Sequence, residues 1–113
     1  MSLPLSDPSL LKTQAYIDGQ WIDADDGATF PVTNPANGEL IATVAKLGAA
    51  ETARAIDAAD RAMQEWKALS AKARANILRK WFDLMMANQE DLAIIMTAEQ
   101  GKVLAESRGE VAY

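Results

Sequence analysis

The 113-residue chain contains neither His nor Cys. These residues therefore cannot supply a thiolate nucleophile, an imidazole base, a disulfide or a thiolate zinc site. Half of the residues are hydrophobic and 24% are charged, as in an ordinary globular domain. The net charge of −5 argues against nucleic acid as a partner, because that binding depends on phosphate neutralisation by a basic surface.

The first dozen residues do not form a continuous apolar stretch, since Pro4, Asp7 and Pro8 interrupt them. No apolar run approaches the roughly 20 residues that span a bilayer. We therefore expect no signal peptide, no membrane partner and a cytoplasmic protein. Residues 1–13 are predicted to form an N-terminal tail.

Residues 14–48 are predicted to form two β-hairpins. Asp18-Gly19 lies between two short β-prone runs and predicts a tight turn. Residues 29–33 and 40–44 read as a second pair of strands, joined by a turn at residues 34–38. Pro31 restricts the first of these two strands to an edge or a bulge.

Residues 49–113 change to a helical hydrophobic period. A first helix carries an apolar stripe, Ser70 is a candidate N-cap for a second, and Asn88 is a candidate N-cap for a third that Gly101 should end. A fourth helix begins near Val103. The first stripe consists of Ile56, Ala59, Met63 and Trp66.

The fourth helical pattern is still running at Tyr113 without a capping residue, so we expect the pattern to be interrupted rather than finished. The predicted fold class is α+β as present, with N-terminal β-hairpins followed by a helical, bundle-like part.

Few residues suggest chemistry. No pair of glycines has the spacing of a phosphate-binding loop. The adjacent acids Asp25-Asp26 and Glu90-Asp91 fall at a predicted turn and a predicted helix start, where acids ordinarily stabilise amide groups. A basic run is interpreted as a solvated helix face and consists of Lys67, Lys72, Arg74, Arg79 and Lys80.

Four segments resemble the N-terminal region of NAD(P)-dependent aldehyde dehydrogenases, most closely the bacterial succinate-semialdehyde type. The segments are residues 16–21, residues 32–38, residues 55–59 with Trp66, and residues 96–102 followed by Glu106. The likeness covers nearly all of residues 14–113, in the family's order and spacing. One departure is Val103, where the family usually has Pro.

The resemblance implies that the chain is an incomplete piece of an α/β, Rossmann-like cofactor-binding domain. In an intact family enzyme a Cys thiolate attacks the aldehyde, hydride passes to NAD or NADP, and the thioester is hydrolysed. The family's catalytic and cofactor-binding residues lie further along than the matched region. The chain alone is thus expected to be inactive, with the remainder of the dehydrogenase fold, a small aldehyde substrate and a homo-oligomer as its expected partners.

The resemblance also implies one possible metal site. Some family members bind a monovalent cation between carbonyls of the strand before Asn-Pro and the acid of the Glu-Gln-Gly-Lys motif. The corresponding residues here are Val32, Thr33 and Glu99. Oxygen ligands suit a hard cation. The ordinary reading of Glu99 is a surface acid at a helix end.

The alternative hypothesis is a stand-alone, non-catalytic helical binding or scaffold module. It predicts autonomous folding with a cooperative melt. The wide apolar stripes argue against a stable monomer, because exposed patches of this kind drive association. These stripes include Trp66, Trp81, Phe82 and Met85.

Overall fold

The computed structural model describes residues 2–113 and begins with a short 3-10 helix, Pro8–Leu10, followed by two separate β-hairpins. Strands β1 (Ala15–Ile17) and β2 (Gln20–Ile22) pair antiparallel. Their turn places Asp18 at φ 52° and Gly19 at φ 75°, the left-handed conformations that a two-residue hairpin turn requires. The predicted hairpin is confirmed.

The second hairpin pairs β3 (Thr29–Thr33) with β4 (Leu40–Ala45), also antiparallel. Within residues 2–113 each sheet has two strands, so Pro31 lies on an edge strand, as predicted. The register shifts between Val32 and Thr33, where β3 leads into the Asn34-Pro35 turn.

Helices α1 (Ala49–Ala68) and α2 (Ala71–Ala87) follow. The hydroxyl oxygen of Ser70 accepts a hydrogen bond from the Ala73 amide at 3.1 Å, which confirms the predicted N-cap. α1 begins differently, because Gly48 has no side chain to cap it. The Glu51 carboxylate instead reaches back to accept from the Gly48 amide at 3.3 Å.

Helices α3 (Gln89–Gln100) and α4 (Leu104–Ala112) complete the described chain. The sequence predicted that the Asn88 side chain would cap α3, and this prediction is wrong. The side-chain amide nitrogen of Asn88 instead donates to the Leu84 carbonyl at 2.9 Å, because the chain passes from α2 to α3 without an extended residue between them. Gly101 ends α3 at φ 77°, as predicted.

The core is small and divided: its five buried apolar residues lie after β2, on β4, on α1 and on α3. Buried apolar residues are Ala24, Ile41, Ala58, Ala93 and Ala98. No residue of α2 is buried, and the Cα radius of gyration is 16.6 Å, against about 13 Å for a compact chain of this length. No helix among residues 2–113 is long and apolar enough to cross a membrane.

Candidate functional site

The turn after β3 packs against the C-terminal end of α3. A Cβ placed on Gly101 would lie 3.0 Å from Cγ of Pro35, so the glycine permits both the left-handed helix end and the close approach of the proline ring. This contact brings together the Asn-Pro and Glu-Gln-Gly-Lys motifs, which lie more than sixty residues apart in the sequence.

Hydrogen bonds within the turn fix its shape. The Asn34 amide donates to the Glu39 carbonyl at 2.8 Å, and the Gly38 amide donates to the Asn34 carbonyl at 2.7 Å. The side-chain oxygen of Asn34 accepts from the Ala36 amide at 2.9 Å. The Asn34 side chain thus satisfies the Ala36 amide and its backbone carbonyl the Gly38 amide, in the turn that places Pro35 against α3.

A cavity of about 300 Å³ lies beside this junction. Its lining is uncharged, so it offers apolar surface and a few amide and hydroxyl groups but no acid, base or nucleophile. The lining residues are Leu3, Asn34, Ala36, Ile94, Thr97, Ala98, Gly101 and Leu104.

A partly buried hydroxyl pair joins α3 to α4 at the cavity, which Thr97 lines. The Thr97 and Ser107 hydroxyl oxygens are 2.8 Å apart, and Ser107 is fully buried. Because each hydroxyl satisfies the other, no unpaired polar group is left in the interface. The pair helps to fix α3 and α4 relative to each other on either side of Gly101.

The residues predicted to bind a cation are distributed around this junction. Val32 is half-buried on β3, Thr33 ends that strand, and Glu99 is exposed in the last turn of α3. Glu99 lines a second cavity, of about 460 Å³, together with Met85 and Tyr113. The structure brings the two motifs together through Pro35 and Gly101, whereas coordination by Glu99 and the two carbonyls stays a prediction.

Among residues 2–113 no group of three or more Asp or Glu side chains is arranged to hold a metal ion. A cation at the junction would therefore depend chiefly on backbone carbonyls rather than on an acidic cluster.

The sequence model of the aldehyde dehydrogenase family matches residues 21–113. The chain belongs to the aldehyde dehydrogenase family. It is 61% identical to the glutarate-semialdehyde dehydrogenase of Pseudomonas aeruginosa and 56% identical to the NADP-dependent succinate-semialdehyde dehydrogenase of Escherichia coli, in each case over 98% of this chain and 23% of the relative. The chain therefore spans about a quarter of the length of these relatives.

Solved structures of family members have the same fold over this region. The aldehyde dehydrogenase of Brucella melitensis matches 98% of the chain with a TM-score of 0.94 and 59% identity. The succinate-semialdehyde dehydrogenase of Burkholderia pseudomallei matches 97% with a TM-score of 0.94 and 60% identity. The chain covers 23% of each, so its α+β fold is a piece of the aldehyde dehydrogenase fold.

Val103, where the family resemblance led us to expect Pro, has a backbone that would accept either residue. Val103 precedes α4 at φ −68° and ψ 147°, a conformation that proline also adopts. Val103 is 62% exposed, so its side chain does not alter the packing of the motif.

Two buried carboxylates of this aldehyde dehydrogenase segment have structural roles that the sequence did not predict. Asp91, 6% exposed, accepts from the amides of Ser6 at 2.9 Å and Asp7 at 2.8 Å. Glu51, also 6% exposed, accepts from the Asp25 amide at 3.2 Å. The position of Asp91 at a helix start predicted only a role at that helix end, because no local pattern marks a partner more than eighty residues away.

Ion pairs on the surface hold further elements in place. Arg54 donates two hydrogen bonds to Asp25, at 2.6 and 2.9 Å, and these bonds lower the pKa of the Asp25 carboxyl and raise the pKa of Arg54. Arg108 binds Glu90 in the same two-pronged way, at 2.8 Å, and lowers the pKa of Glu90. The first ion pair thus joins α1 to the turn after β2, and the second joins α4 to α3.

Proposed function

We propose that the chain is the N-terminal scaffold of an NAD(P)-dependent aldehyde dehydrogenase that oxidises succinate semialdehyde, or a close dicarboxylic semialdehyde, to the corresponding acid. The observation that carries the proposal is the docking of the Asn34-Pro35 turn on Gly101, in a chain similar over nearly its whole length to enzymes of that specificity. The aldehyde, the NAD(P) cofactor and a homo-oligomer are thereby proposed as partners of the intact enzyme.

The residues of this segment do not fit a nicotinamide cofactor site. Five of the six glycines lie at turns and helix ends: Gly19, Gly27, Gly38 and Gly101 have positive φ values, and Gly48 precedes α1. The sixth, Gly109, lies within α4. None forms a loop that would hold a diphosphate. In the intact enzyme the cofactor would be held, and hydride accepted, at residues outside this segment.

The proposed contribution of this chain is positional. Pro35, Gly101 and the Thr97–Ser107 pair hold the second hairpin against α3 and α4. At this junction we propose the monovalent cation, with the Val32 and Thr33 carbonyls and the Glu99 carboxylate among its oxygen ligands. Such an ion would stabilise the contact between the two motifs without taking part in bond making or breaking.

A chimera tests this proposal. The chain replaces the matched segment of the E. coli succinate-semialdehyde dehydrogenase, and reduction of NADP is followed with succinate semialdehyde as substrate. We expect a value of kcat/KM within about tenfold of the parent enzyme. A Gly101→Val variant of the chimera, which blocks the Pro35 contact, is the matched control and should lose folded enzyme. A folded chimera without activity would contradict the proposal.

The stand-alone binding module is the less favoured function. The isolated chain exposes large apolar side chains along two helices, as expected of a scaffold whose partner surface is covered in a larger fold.

A further inference from the structure

The turn between β3 and β4 contains an asparagine followed directly by a glycine, Asn37-Gly38. In such a pair the backbone nitrogen of the glycine can attack the side-chain amide carbon of the asparagine, and glycine has no Cβ to hinder the approach. Of the four asparagines, only Asn37 precedes glycine. Asn34 precedes proline, which has no N–H to act as a nucleophile, and the other two precede residues with large side chains.

The reaction of this pair requires only the chain and water. The Gly38 nitrogen gives its proton to water or hydroxide and forms a bond to Cγ of Asn37. The C–N bond of the side-chain amide breaks, and ammonia leaves. The resulting succinimide takes up a water molecule and opens to aspartate or isoaspartate at position 37, with no change of oxidation state.

The native turn holds both reacting groups in other bonds. The Gly38 amide donates to the backbone carbonyl of Asn34 at 2.7 Å, and the side-chain oxygen of Asn37 accepts from the Glu39 amide at 3.0 Å. Loss of the amide proton leaves an electron pair where the N–H bond was. In this turn that pair points to the Asn34 carbonyl rather than to Cγ of Asn37, so ring closure requires both bonds to break first.

Further hydrogen bonds keep the turn closed. The Asn34 amide donates to the Glu39 carbonyl at 2.8 Å, and the side-chain oxygen of Asn34 accepts from the Ala36 amide at 2.9 Å. The turn is therefore open in only a fraction of the molecules. A reaction that needs the open turn proceeds at a rate proportional to that fraction.

We propose that Asn37-Gly38 is a site of spontaneous deamidation that the native turn suppresses, so that the reaction proceeds only from molecules in which residues 34–39 have opened. The contacts that carry the proposal all lie within residues 34–39. It needs no uncovered surface, because both reacting groups belong to the turn itself. It is also independent of the proposed dehydrogenase activity.

Peptide mapping of the full chain during incubation at neutral pH tests the site. Trypsin cleaves after Lys12 and Lys46, and the fragment 13–46 contains both Asn34 and Asn37, so fragmentation in a mass spectrometer tells which of the two has exchanged its amine for a hydroxyl. We expect deamidation at Asn37 and not at Asn34, at a rate that rises about tenfold or more in urea. A native rate equal to the rate in urea, or no reaction at Asn37 in urea, would overturn the proposal.

Two substitutions separate opening of this turn from opening of the whole chain. Asn34→Ala removes the acceptor of the Ala36 amide but keeps the reacting pair, so native deamidation at Asn37 should be about fivefold faster while staying slower than in urea. Asp26→Ala is the matched control, because it removes the same kind of bond, to the Ala28 amide at 2.9 Å, at the other end of the hairpin. It should leave the rate unchanged. Equal acceleration by both variants, or an Asn34→Ala rate as fast as in urea, would contradict suppression by the turn.

Gly38→Ala identifies the attacking nitrogen in a measurement that does not depend on folding, because it is made in urea. A Cβ at position 38 hinders the approach of that nitrogen to Cγ of Asn37, so we expect deamidation in urea to be about fivefold slower or more. An unchanged rate would show that the side-chain amide is lost by direct hydrolysis and would refute the proposed route.

Discussion

The contact between Pro35 and Gly101 predicts the effect of a single methyl group. Gly101→Ala places a Cβ at φ 77° and 3.0 Å from Cγ of Pro35. The left-handed backbone costs an L-residue about 1–2 kcal/mol, and crowding against the proline ring adds about 1 kcal/mol or more. We therefore expect Gly101→Ala to lower the free energy of unfolding by about 2–3 kcal/mol.

Gly38→Ala is the control, because Gly38 has nearly the same φ, 75°, and nothing within 4 Å of an added Cβ. It should cost only the backbone term of about 1–2 kcal/mol. Urea unfolding followed by circular dichroism, in the chimeric enzyme, compares the two variants. The reasoning is refuted if both substitutions cost the same.

A double-mutant cycle isolates the ring contact itself. Pro35→Ala removes the Cγ that an alanine at position 101 would meet. We expect Gly101→Ala to cost about 1 kcal/mol less in the Pro35→Ala background than in the wild type. A cycle with no interaction energy would show that the turn does not press on the end of α3.

Three other predictions follow from the buried and paired groups. Asp91→Asn leaves the carboxylate site with one acceptor for two amides, so the Ser6 and Asp7 amides should exchange hydrogen about tenfold faster or more, while Glu90→Gln next to it should not have this effect. Ser107→Ala should lower the unfolding free energy by about 1–2 kcal/mol in urea titrations, whereas the exposed Ser9→Ala should not. The pKa of Asp25 is lowered by its bonds from Arg54, so that pair stabilises the fold above the ordinary pKa of 3.8 and the contribution is lost as the pH falls through the lower folded value. An NMR titration of Arg54→Gln should return the Asp25 pKa towards its ordinary value, and an unchanged pKa would contradict this assignment.

The sequence predicted most turns and helix ends correctly, because each of these depends on one or two neighbouring residues. Asp18-Gly19 can form only a few turns, Ser70 caps the helix that starts at the next residue, and Gly101 takes the left-handed conformation wherever a helix ends on it. That the Asn-Pro and Glu-Gln-Gly-Lys motifs lie close together was implied only by the resemblance to the family.

The interactions that the sequence did not reveal are those between distant residues. Asp91 binds amides more than eighty residues away, and Thr97 meets Ser107 across two helices, and neither residue has a periodicity that marks its partner. Asn88 shows the opposite error. Its residue type predicts a side-chain N-cap, but the continuous path from α2 to α3 directs its amide to Leu84.

The rate of NADP reduction by the chimeric succinate-semialdehyde dehydrogenase tests the central claim most directly. With residues 2–113 in place of the matched segment, we predict turnover of succinate semialdehyde within about tenfold of the parent, and no turnover by the 113-residue chain alone. A well-folded chimera that fails to reduce NADP, or an isolated chain that does so, would contradict the assignment of this chain as the N-terminal scaffold of such an enzyme.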